Sequence, residues 1–162
     1  MRKRKPRKQY LPVNPLLYAI EGAAKIDKDS LDRLRYGELA AIEAFRMGAA
    51  SVEDWKVMSE VRNLCESMAK DGIGPEALEA VERADAALIE AADRYHTTGK
   101  MGTTGPGLNA FRDIYEYHDL QRQSVSRSTY EKHIERIVNK IRSKSPDVLF
   151  VVRKEKHEGT VL

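Results

Sequence analysis

Apolar residues in this chain recur at three- and four-residue intervals between glycines and prolines, and that period commits it to helices. The clearest case lies between Ser51 and Gly72. Trp55, Met58, Val61, Cys65 and Met68 share one stripe, because spacings of three and four return side chains to the same helical face. Ser51 followed by Asp54 predicts a capping box with Asp in place of Glu, and Gly72 predicts the stop.

The same reading extends along the chain. Asn14-Pro15 predicts a helix start carrying Leu16, Leu17, Ile20 and Ala24. A second helix is predicted from near Ser30 to Gly48, with Leu31, Leu34, Ile42 and Phe45 inward. Gly37 inside it costs about 1 kcal/mol relative to Ala, which predicts close packing or a kink there. Pro75 opens a helix with Leu78, Val81, Leu88, Ala92 and Tyr95 as its stripe. Glu76, Glu79, Glu82, Asp85 and Glu90 cover its outer face. Residues 96–107, with four Thr and four Gly, read as one long flexible loop. Leu108, Phe111, Ile114, Tyr115 and His118 line a fifth helix, and Tyr130, Ile134, Ile137 and Ile141 a sixth, closed by Pro146. The run Val148–Val152 is β-prone and reads as a lone strand or a strap across the helices. The expectation is an all-α fold: a compact bundle of five or six helices over 14–145. A flexible basic arm (1–13) precedes it and a short extended C-terminal segment (146–162) follows.

A chain of 162 residues can bury roughly 70% of its unfolded surface and needs no staples. Cys65 is the single cysteine, which excludes an intrachain disulfide and fits a reducing, cytoplasmic setting. Its place on an apolar stripe predicts a buried structural thiol. No apolar run approaches the roughly 20 residues needed to span a membrane, so no membrane partner is expected. No secretory leader is read, because Pro12, Asn14 and Pro15 interrupt the segment after the basic start.

Charge is sorted into blocks. Arg2, Lys3, Arg4, Lys5, Arg7 and Lys8 place six cations in seven positions; residues 21–119 hold 12 Lys/Arg against 20 Asp/Glu; residues 120–162 hold 10 against 5. Six cations at one end suit a nucleic-acid backbone, giving sequence-independent and salt-sensitive affinity, with Tyr10 placed to stack on a base. An acidic protein or lipid surface, a solvated tail, or a nuclear import signal fits the same heptad.

Ser124-Val125-Ser126-Arg127-Ser128-Thr129 resembles the turn and first residues of a helix-turn-helix recognition helix, which implies Arg127, Ser128, Lys132 and Arg136 facing DNA. Ser124 stands where that motif has Gly, and Asp119 and Gln123 where it has apolar residues. The plainer reading is that Ser126 or Ser128 caps the sixth helix. His118-Asp119 resembles the metal-binding pair of HD-type phosphohydrolases. That site needs further ligands, for which only Asp93 and His96 are near in sequence. His118 lies on the apolar stripe, so a hydrogen-bonded core histidine is expected and no metal or cofactor. Gly99-Lys100 is no phosphate loop: Arg94 stands in place of its first Gly and Met101 in place of its Ser/Thr.

The order of features is similar to a loosely related group of small helical accessory proteins of unknown function carried by proteobacterial phages and mobile elements. The features are a basic start running into Tyr10 and Asn14-Pro15, and Leu39-Ala40-Ala41-Ile42 before Gly48. They continue with Asp54-Trp55 and with Thr104-Gly105-Pro106-Gly107-Leu108-Asn109-Ala110 leading to His118-Asp119-Leu120-Gln121. The resemblance covers roughly residues 4–140, implies an all-helical fold and a mobile-element origin, and supplies no catalytic residues. The function expected is therefore non-enzymatic: an accessory or regulatory protein associating with DNA or RNA through its arm and its sixth helix. The alternative is an inhibitor or adaptor that meets a host protein through its acidic body.

Overall fold

The computed structural model describes residues 22–149. The basic arm, Tyr10, the Asn14-Pro15 start with Leu16, Leu17 and Ile20, and residues 150–152 of the β-prone run lie outside the described residues. Within them the chain forms five α-helices: α1 (Lys28–Arg46), α2 (Val52–Lys70), α3 (Leu78–Thr98), α4 (Gly105–Ser124) and α5 (Arg127–Arg142). A 3-10 turn, Pro75–Ala77, precedes α3. The fold is all-α, as the apolar period predicts, and no described helix is long and apolar enough to cross a membrane.

Local chemistry sets each boundary. Ser51 accepts from the Asp54 amide while the Asp54 carboxylate accepts from the Ser51 amide, closing the predicted capping box. Asp27, three residues ahead of the predicted start, caps α1 by accepting from the Ser30 amide. Ser126 caps α5. Pro75 opens the 3-10 turn rather than α3 itself, and this turns Ala77 inward and leaves Leu78 38% exposed. The predicted loop 96–107 is shorter in the structure. Its first residues continue α3 to Thr98, where Gly99 takes the left-handed conformation (φ 74°) that ends a helix. Its last residues begin α4, with Thr104 as the cap and Pro106 in the first turn. Buried Met101 pins what remains to the core.

α2 is the central helix. Trp55, Met58, Val61, Cys65 and Met68 are all buried, and the Trp55 Nε1 donates to the Leu88 carbonyl of α3 at 2.9 Å. α3 turns a face of Ala80, Ala84, Ala87, Ala91 and Ala92 inward, around Val81 and Leu88, and Ala77 of the preceding turn joins it. Such small side chains let helices approach closely. Phe45 and Phe111 meet with ring centroids 4.9 Å apart. Gly37 neither packs closely nor breaks α1: a methyl added there would meet nothing within 4 Å. Leu34 and Ile134, expected inward, are 37% and 39% exposed. Both stand at the edge of a groove rather than in the core. The described part of the β-prone run is a strap: Val148 and Leu149 are buried, and the Asn63 side chain both donates to the Leu149 carbonyl (2.7 Å) and accepts from its amide (3.0 Å).

Candidate functional site

Residues of α1, α2 and α5 line an apolar groove of about 400 Å³. Val57, Val61 and Leu64 of α2 form its floor, Leu34 and Gly37 one wall, and Ile134, Val138 and Ile141 the other. Few polar groups converge on it. Burial raises the pKa of Glu60, and of Tyr130 at the groove's inner end. The Tyr130 hydroxyl lies 3.2 Å from Nε2 of His118.

Behind Tyr130 an ion network joins α1 to α4. Arg122, with no exposed side-chain surface, donates to both carboxylate oxygens of Glu38 (2.6 and 2.8 Å) and to Asp119 (2.9 Å). Asp119 also accepts a fork from Arg35 and a hydrogen bond from Gln123. Burial alone would raise the Asp119 pKa, but the Arg35 and Arg122 guanidinium groups outweigh it and hold the pKa down. Arg35 also reaches Asp32 at 3.4 Å, and the Asp119 oxygens are taken up by donors.

His118 is a core residue. It is fully buried, with Nδ1 3.4 Å from the Gln121 side-chain oxygen as well as Nε2 near Tyr130. Asp93 and His96 stand on α3, and the described residues contain no cluster of three or more His, Cys, Asp or Glu placed to hold a metal. Burial, reinforced by the charge of Arg122, lowers the His118 pKa from 6.5 to about 3. An unfolded chain therefore binds this proton first, so the stability tied to neutral His118 is complete above pH 6.5. It is lost as pH falls toward the folded value. Melting temperature should drop from pH 6.5 to 4, with a shallower drop in His118→Phe. An identical slope in both proteins would remove His118 from the account. Burial also pushes the Cys65 thiol up to about 12, the opposite of what a nucleophile needs.

The cations named from sequence on α5 are all exposed, and two of the three are held by acids. Arg127 pairs with Glu131 at 2.9 Å and Arg136 with Asp71 at 2.9 Å. Arg136 thereby leans onto α2, beside the contact of His133 with Ser67 (2.8 Å). Lys140 pairs with Asp147 at 2.5 Å. Lys132, Arg142 and Lys144 have no ion-pair partner among the described residues. Sequence reasoning missed the buried polar set, Glu38, Arg62, Asn63, Gln121, Arg122 and His133. The signal was present: Glu38 precedes Ala41, Ile42 and Phe45 by three, four and seven residues, on their stripe. No protein-family model, curated protein or solved structure matches the chain.

Proposed function

We propose that this chain is a non-enzymatic accessory or regulatory protein, of the kind carried by phages and mobile elements, that associates with nucleic acid. The observation that carries this reading is the sorting of charge. The arm holds six cations without an acid, and residues 127–144 hold six more against two acids, while the rest of the body is acidic. The arm supplies affinity through phosphate contacts, with Tyr10 stacking, and Lys132 and Arg142 of α5, with Lys144 just after it, add backbone contacts. Because Arg127 and Arg136 already serve Glu131 and Asp71, α5 acts as a scaffold in this reading and base recognition is not its task.

Removing residues 1–9 should weaken binding to duplex or single-stranded nucleic acid and flatten the log-salt slope by about 5 units. Arg127→Ala combined with Lys132→Ala should weaken all sequences slightly and alter no preference. Affinity and slope that survive the truncation would reject the proposal. A reproducible DNA motif dependent on Arg127 would instead restore the base-reading helix.

A second reading has its own observation. Glu76, Glu79, Glu82, Glu90 and Asp93 are exposed along the 3-10 turn and α3, and none has an ion-pair partner among the described residues. Such a face suits an adaptor or inhibitor that docks on a basic host protein. This reading gains if truncating the arm leaves nucleic-acid binding unchanged while charge reversal at Glu79 and Glu82 abolishes binding to a basic protein partner.

A further inference from the structure

The groove between α1 and α5 leaves Leu34, Ile134 and Val138 exposed on its walls, and the chain itself leads back to it. Gly22 sits at the first turn of α5, where an added methyl would lie 3.3 Å from the Ser128 Cβ. Two residues on, the Ala24 carbonyl accepts from the Arg127 amide at 2.8 Å, and Lys25 pairs with Ser126 as an isolated antiparallel bridge. The chain is thus tied to the first turn of α5, two residues before Tyr130, which lines the groove. Residues 1–21 precede this point.

We propose that the chain's own segment 14–21 fills the groove as a short amphipathic helix running antiparallel to α5, with Leu16, Leu17 and Ile20 as its apolar face. Length agrees. Eight helical residues rise about 12 Å, the same rise that separates Tyr130 from Val138 on α5. Chemistry agrees as well. The groove offers aliphatic walls, and the segment offers three aliphatic side chains at helical spacing behind an Asn-Pro start. Gly37 makes room, since any side chain there would project into the space the segment needs. A tethered segment meets the groove at an effective concentration in the mM range, whereas a second copy must first pay for lost translational and rotational freedom. Covering Leu34, Ile134 and Val138 accounts for the three exposed aliphatic residues that border this one groove.

Amide hydrogen exchange on the full chain, without nucleic acid, tests the docking independently of any function. Amides of residues 16–21 should exchange at least about tenfold more slowly than in an unstructured peptide. Gly37→Leu, which plugs the groove, and Leu17→Asp, which spoils the apolar face, should each abolish that protection. Amides around Trp55 should stay protected in both variants, showing that the bundle is intact. Exchange at peptide rates in the wild-type chain would overturn the proposal, as would protection that survives both substitutions. Protection that grows with protein concentration would assign the groove to a second copy instead.

Discussion

Replacing Arg122 with Ala should lower the free energy of unfolding by about 3–5 kcal/mol, a large share of what a domain of this size possesses. The guanidinium group is fully buried and satisfies Glu38, itself only 7% exposed, through two hydrogen bonds. Truncation leaves the Glu38 carboxylate in the interior without its counter-charge, and that uncompensated charge dominates the loss. Arg122→Lys should recover little, because a single ammonium group cannot reach both oxygens of Glu38 and also Asp119 in the planar fork seen here. Denaturant unfolding provides the measurement, read as a lower midpoint with an unchanged slope. A loss below about 1 kcal/mol would mean that Glu38 takes up a proton or water at little cost.

Trp55→Ala should cost a comparable amount, about 3–5 kcal/mol, for a different reason. The indole is fully buried at the point where α2 meets α3 and is the largest fully buried side chain among the described residues. Its removal leaves a void that the surrounding helices fill only in part. Trp55→Phe keeps most of the packing and gives up the hydrogen bond to the Leu88 carbonyl, so its cost should be distinctly smaller. Equal losses in the two variants would show that the indole N–H, rather than the volume, carries the effect. The Arg122 and Trp55 substitutions touch separate networks, so their effects should add.

How far the sequence was legible follows from what kind of interaction placed each residue. The stripe from Trp55 to Met68 was readable because burial of large apolar side chains has a period, and the box at Ser51 and Asp54 because capping is local. Ile134 was misplaced because it has the spacing of a core residue but faces the groove, where no described element covers it. Periodicity says that side chains share a face and cannot say whether a neighbour exists to meet that face. The loop was overestimated because Thr and Gly carry two meanings: Thr104 caps a helix and Gly99 ends one. The buried pair Glu38–Arg122 joins residues 84 positions apart. Glu38 shares the stripe of Ala41, Ile42 and Phe45, which marks it as inward, but nothing local names its partner, so the pairing behind Tyr130 came from the fold alone.

Asn63 has a consequence for the tail that follows it. Its carboxamide presents one acceptor and one donor to the backbone of Leu149, much as a neighbouring strand would. The grip is on main-chain atoms, which every residue other than proline carries alike. The backbone of residue 149 is therefore held by contacts that do not depend on its side chain: many apolar residues keep them, while proline, lacking the N–H, is excluded. Substitutions at position 149 that keep its N–H and C=O keep this grip, whereas removing the Asn63 carboxamide releases both hydrogen bonds at once.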